Sequence, residues 1–126
     1  MVLLKQCFLP VVSPIGLGKD GVTYNINADT TASRIAVALK AYKIIFMTDV
    51  DGVLEDGKLK GQLSSVEAEK LIKKNVISGG MAPKVSAGVF CVENGVASAQ
   101  IINGTAPHSV IAELFTDKGI GTQIVL

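Results

Sequence analysis

The chain has 126 residues, 48% hydrophobic and 18% charged, which is the length of one domain and too apolar for an intrinsically disordered segment. Twelve Lys and Arg against eleven Asp and Glu leave a formal charge of +1, and with two Tyr, four Phe and no Trp there is neither a basic block for a phosphate backbone nor a surface for base stacking. The mean hydropathy of +0.45 belongs to a buried core. Runs such as Ile44-Ile45-Phe46-Met47 fall far short of the roughly 20 residues that span a membrane.

In chain order, Phe8–Val12 reads as a buried strand, with Pro10 marking its start or an edge position. Gly16, Gly18 and Gly21 follow, and Asp20-Gly21 is a turn pair. Val22, Tyr24 and Ile26 then alternate with Thr23, Asn25 and Asn27, the period-two pattern of a hairpin's return strand. From Ala28 the period lengthens. Thr31, Ile35, Ala38, Leu39 and Tyr42 predict an amphipathic helix of about four turns, with Asp29 in its first turn.

Lys43–Val50 reads as an apolar strand and residues 51–57 as a loop. Ser64 and Glu67 form a capping box, flanked by Leu63 and Ala68 as a staple, for a helix reaching about Lys74. After a loop from Asn75 to Gly80, Met81, Val85, Gly88, Val89 and Val92 predict a helix that stops at Gly95. Ser98–Ile102 reads as a strand, Pro107–Phe115 as a helix with Val110, Ile111, Leu114 and Phe115 on one face, and Ile120–Leu126 as a closing strand. The alternation predicts an α/β layered domain with a largely parallel central sheet flanked by helices.

Gly16-Leu17-Gly18-Lys19-Asp20-Gly21 has the letters of the dinucleotide fingerprint without its mechanism, because a strand and not a helix follows the glycines. Asn25, Asn27 and Asp29, two residues apart, put three short polar side chains on one side of an extended stretch that leads into a helix. They read either as a ligand site or as a helix cap. Ser78-Gly79-Gly80-Met81-Ala82-Pro83-Lys84 is either a loop that starts a helix or an anion site, with bare amides at the helix N-terminus and Lys84 one turn in. Thr48-Asp49-Val50-Asp51-Gly52 stands at a strand's carboxyl end, as nucleotide or metal ligands do and turns equally do. His108 reads as a surface residue or cap, the serines lack a nucleophile-elbow context, and Glu55, Glu67, Glu69 and Glu93 read as solvated faces. Cys7 and Cys91 sit in apolar segments, as buried free thiols do, and no signal-peptide pattern opens the chain, so a cytoplasmic setting is expected. One His and two Cys predict no metal centre.

Taken together, Tyr24-Asn25-Ile26-Asn27-Ala28-Asp29, Thr48-Asp49-Val50-Asp51-Gly52-Val53-Leu54, Ser78–Val85, and Pro107-His108-Ser109 through Glu113–Asp117 to Gly119-Ile120-Gly121-Thr122 resemble the C-terminal half of the acetylglutamate kinases, within the amino acid kinase family. The motifs keep the family's order from about Phe8 to Leu126. The resemblance implies a single domain over residues 1–126 that is the ATP-binding half, with the acetylglutamate-binding half and a second catalytic lysine outside it. It implies phosphorylation of the side-chain carboxylate of N-acetyl-L-glutamate by ATP with Mg2+, a step of arginine biosynthesis. Asn25 and Asn27 are then expected to hold the acetylglutamate, Asp29 to orient the catalytic lysines, and Lys84 to neutralise the transferring phosphoryl. Thr48, Asp49, Gly79, Gly80, Met81 and Lys84 are expected to line the nucleotide site. By itself the chain is expected to be inactive, and to self-associate or associate with the other half. The alternative is a non-catalytic nucleotide-binding or assembly module. The segment around His108 and Gly119–Thr122 is similar to the arginine-inhibited branch, which builds its effector site partly from this segment and partly from an N-terminal helix.

Overall fold

The computed structural model describes residues 2–116 and 119–126, so Asp117 of the C-terminal motif lies outside the described residues. A short helix α1 (Val2–Lys5) leads into an irregular stretch and then a hairpin of β1 (Ile15–Leu17) and β2 (Thr23–Asn25). The expected strand at Phe8–Val12 is absent. These residues are irregular, with Leu9 88% and Val11 94% exposed, because no strand among the described residues pairs with them. Period-two reading placed the return strand correctly, and its partner is β1, closed by a turn in which Gly21 holds φ +77.

The central sheet contains β3 (Lys43–Thr48), β6 (Gln62–Ser64), β7 (Ser98–Asn103) and β8 (Thr122–Val125), in the order β3-β7-β8-β6. The β3–β7 and β6–β8 pairs are parallel and β7–β8 is antiparallel, giving the mostly parallel sheet of the α/β expectation. Three helices cover one face: α2 (Ala28–Leu39), α3 (Ser65–Lys73) and α4 (Met81–Glu93). There Ile44, Phe46, Ala99, Ile101 and Ile124 join Val85, Val89 and Val92 of α4 in one core. Gly88 lets α4 approach the sheet closely, since a Cβ there would stand 2.8 Å from the Ile124 side chain. By strand alternation Lys43, Gln100 and Gln123 point to the other face, where α5 (Ser109–Phe115) packs on β7.

Local signals set the helix ends. Asn27 caps α2, and Lys40 closes it in a left-handed conformation at φ 52° with its N–H on Ala36 and Val37 carbonyls. The Ser64 hydroxyl accepts the Glu67 N–H at 3.2 Å, half of the expected capping box. The other half is missing because the Glu67 carboxylate turns to Lys60 at 2.9 Å, and Lys60 also reaches Glu55 at 3.0 Å. The expected loop at residues 51–57 contains β4 (Leu54–Glu55), which forms a small hairpin with β5 (Lys58–Leu59).

Helix faces depart further from expectation. In α2 the buried residues are Ser33 and Ala36, while Ile35, Leu39 and the following Tyr42 stay exposed. Small side chains let α2 lie against α4, where Arg34 stacks over the Phe90 ring at 4.2 Å. In α5 the expected apolar face of Val110, Ile111, Leu114 and Phe115 is outward, and Ser109 and Glu113 are buried instead. Cys91 is buried, and burial pushes its thiol pKa up, but Cys7 is exposed. No helix of the described residues is long and apolar enough to cross a membrane.

Candidate functional site

Two helix–strand units carry the expected residues to one edge of the sheet. Residues 40–42 join α2 to β3, and residues 94–97 join α4 to β7. With connections this short each helix runs back along its strand, so both helix N-termini stand at the strands' carboxyl ends. There Lys84 Nζ donates to both carboxylate oxygens of Asp29, at 3.1 and 3.0 Å. Each side chain keeps 21% exposure, so a ligand can reach the pair.

The two helix dipoles act differently on this pair. Asp29 sits in the first turn of α2, where a carboxylate is favoured. Lys84 sits in the first turn of α4, where a cation is disfavoured, so Asp29 offsets a charge that the helix itself opposes. No side chain caps α4 among the described residues, and Gly80 takes the N-cap position. Gly79 holds φ +55, and no described atom lies within 4 Å of where a Cβ would stand on Gly79 or Gly80. The Met81 N–H is taken by the Ser78 carbonyl at 3.3 Å and Pro83 has none, so the Ala82 amide, the open space beside Gly79 and Gly80, and the Lys84 ammonium are what the helix start offers an anion.

An apolar slot adjoins this helix start. Val50, Val53 and Leu54 from the stretch after β3, with Val76, Ile77 and Met81 from the approach to α4, line about 210 Å³. Of the expected nucleotide residues Met81 lines the slot, and Gly79, Gly80 and Lys84 adjoin it in sequence. Thr48 and Asp49 stand at the end of β3 just before it, the Thr48 hydroxyl donating to Asp49 Oδ1 at 3.2 Å. Val76 and Ile77 were missed by sequence reasoning, and Leu54, named there only within a motif, lines the slot from the β4–β5 hairpin that the turn pair Asp56-Gly57 signalled, while staying half-exposed.

Asn25 and Asn27 are arranged differently from expectation. Asn25 ends β2 and is exposed. Asn27 Oδ1 accepts the Thr30 N–H at 3.0 Å and the Thr30 hydroxyl at 3.2 Å, so this residue is the cap of α2. Because the helix starts at Ala28, Asn25, Asn27 and Asp29 do not line one side of a continuous extended segment.

A second polar site lies on the opposite face of the sheet. Lys43 Nζ donates to Glu113 Oε1 at 2.6 Å, and the Glu113 side chain is only 2% exposed. Its Oε2 accepts the Ile120 N–H at 2.9 Å, while Gln100 Nε2 donates to the Ile120 carbonyl at 2.7 Å. Gln100 Oε1 is buried without a hydrogen-bond partner among the described residues. Lys43, Gln100 and Glu113, with Gly119 and Gln123, line a polar cavity of about 530 Å³. The signal for it was a lone glutamate inside an apolar helix, which the assumed helix face concealed.

Comparison with known proteins decides the family. The sequence profile of the amino acid kinase family matches residues 1–103. The chain belongs to that family. It is 52% identical to an acetylglutamate kinase of Desulforamulus reducens over 98% of its length, and 51% identical to one of Kosmotoga olearia over 97%. It spans 44% and 43% of those two proteins, less than half of each. Among solved structures, an N-acetylglutamate synthase from Neisseria gonorrhoeae complexed with coenzyme A and L-arginine superposes with a TM-score of 0.92 at 34% identity, covering 98% of this chain and 29% of that one. A carbamate kinase from Giardia lamblia bound to AMP-PNP shares the fold, with a TM-score of 0.66 at 21% identity over 86% of this chain and 36% of its own.

Proposed function

We propose that this chain is the nucleotide-binding half of an acetylglutamate kinase, presenting the γ-phosphoryl group of MgATP to the side-chain carboxylate of N-acetyl-L-glutamate. The observation that carries the reading is Lys84. It stands where the dipole of α4 opposes a cation, beside an uncapped helix start, with Asp29 as its counter-ion. Such a lysine is most useful when an anion arrives. Phosphoryl transfer asks the protein mainly to position groups and to neutralise charge. In this reading a carboxylate oxygen attacks the γ-phosphorus, the bond to the ADP oxygen breaks, and no proton has to be removed. Lys84 neutralises the transferring phosphoryl and the leaving ADP, and Asp29 orients Lys84. Asn25 contacts the acceptor from the end of β2, Asn27 does so through its amide nitrogen because its oxygen caps α2, and the slot takes the base. Magnesium would be carried by the nucleotide phosphates, where it would neutralise their charge.

Two measurements test this. Calorimetry on the 126-residue chain is expected to detect ATP binding, without acetylglutamate-dependent release of ADP. Robust turnover by this chain alone would refute the division of labour. In a protein that joins it to the remaining length of its relatives, Lys84→Ala is expected to lower kcat by roughly 10²–10³, more than it raises the KM for ATP. An unchanged kcat would remove Lys84 from the mechanism.

The second face supports a second role, as an effector site for L-arginine. Buried Glu113 and the Gln100 oxygen, without a hydrogen-bond partner among the described residues, are acceptors for a guanidinium, and Lys43 is a counter-ion for a carboxylate. The Neisseria gonorrhoeae synthase, 34% identical here, was solved with L-arginine. Titration of L-arginine into the chain and its Glu113→Gln variant tests this role, which equal affinities would exclude.

A further inference from the structure

The stretch that walls the apolar slot is held from behind by the last strand. The Val53 N–H donates to the Thr122 hydroxyl at 2.8 Å across 69 residues of sequence. Val53 is 1% exposed and Thr122 is fully buried. Gly52 makes the approach possible: it holds φ +145, and a Cβ there would stand 2.6 Å from Thr122 Oγ1. Two other bonds tie the same stretch down, from Asn103 Nδ2 to Asp51 Oδ1 and from the Gly104 N–H to the Thr48 carbonyl, both at 2.8 Å. The Asn103 bond is exposed, and water can replace it. The Thr122 bond is buried, so without the hydroxyl the Val53 amide has to move to find another acceptor.

We propose that Thr122 is a positioning residue for nucleotide binding, its hydroxyl holding the Gly52–Leu54 wall of the slot where it receives the base of an adenine nucleotide. The inference rests on the nucleotide reading above. Thr122 does not itself line the slot and acts through the Val53 amide. The hydroxyl is the active part of the side chain, since valine has nearly the same shape and cannot accept a hydrogen bond.

Titration of ATP into four forms of the 126-residue chain tests the assignment. These are the unaltered chain, Thr122→Ser, Thr122→Val, and Val96→Ala, a buried change at the amino end of β7 away from the slot. Thr122→Ser and Val96→Ala are expected to keep the unaltered affinity, and Thr122→Val to weaken it by roughly tenfold. Equal affinity in Thr122→Val and the unaltered chain overturns the proposal. So does an equal loss in Val96→Ala, which would make the effect one of general stability. Failure of the unaltered chain to bind ATP overturns the nucleotide reading first, and this inference with it. Should Thr122→Val not fold, hydrogen exchange of the Val53 amide in the unaltered chain decides. Slow exchange that slows further with ATP supports the role, and exchange at the rate of a free amide refutes it.

Discussion

Two long-range ion pairs among the described residues differ in how water reaches them. Asp29–Lys84, at the carboxyl edge of the sheet, is evenly exposed at 21% on each side chain, and one ammonium bridges both carboxylate oxygens. Lys43–Glu113, on the opposite face, leaves its ammonium 22% exposed but its carboxylate only 2%. That carboxylate also accepts the Ile120 N–H, which ties β3, α5 and the approach to β8 together. A part-buried pair that water reaches from both sides costs less to open and can exchange a partner for a ligand, whereas a fully buried carboxylate must keep a cation beside it. The same chemistry is therefore more easily opened on one side than on the other. The buried pair can yield only to another cation, which is what a guanidinium offers.

The largest expected effect comes from breaking the buried pair. Glu113→Ala strands Lys43 and the Ile120 amide, and should cost about 3 kcal/mol, the low end for a buried pair because Lys43 is partly exposed. Urea denaturation measures this, and a loss below ~1 kcal/mol would make the two pairs equivalent. Glu113→Gln keeps an acceptor for Ile120 and should cost less, which separates the hydrogen bond from the charge.

Asn27→Ala comes next. Removing the cap of α2 should destabilise the domain by ~1 kcal/mol. It should also fray the turn that holds Asp29, so amide exchange at Thr30 and Thr31 should accelerate. Unchanged exchange there would detach the cap from the pair. Lys84→Ala, by contrast, is expected to cost under ~1 kcal/mol in stability, because Asp29 can turn to water. A loss as large as that of Glu113→Ala would assign the edge pair a structural role as well.

The smallest effect belongs to the exposed Asp20–Tyr24 contact in the first hairpin. The Tyr24 hydroxyl donates to Asp20 at 2.7 Å, and this bond, with the Val22 amide, holds the Asp20 carboxyl below its ordinary value of 3.8. A depressed carboxyl contributes stability above its unfolded pKa and loses it as pH falls through the lower folded value. An NMR titration should therefore find Asp20 still ionised below pH 3.8, and Tyr24→Phe should move its midpoint upward. No movement would leave the amide as the sole cause.

What was legible in the residues was local. Asn27 and Ser64 at helix starts and Asp20-Gly21 at a turn act within a few positions of themselves, and each performs that role in the structure. The alternation of helix and strand followed from periodicity for the same reason, and the meeting of Asp29 with Lys84 followed from motif order once both lay at helix starts. Tertiary contact decided which apolar face was buried. α2 turned Ser33 and Ala36 inward because α4 needed close approach, and α5 turned Glu113 inward because Lys43 waited there. Leu9 and Val11 are as hydrophobic as Ile101 and Ile124, yet they stand 88% and 94% exposed while the latter are fully buried. Capping and turn chemistry are short-range interactions that a sequence carries within itself. Burial needs a partner surface, and the Val53–Thr122 bond, 69 residues long in sequence, exists only where the folded chain supplies one.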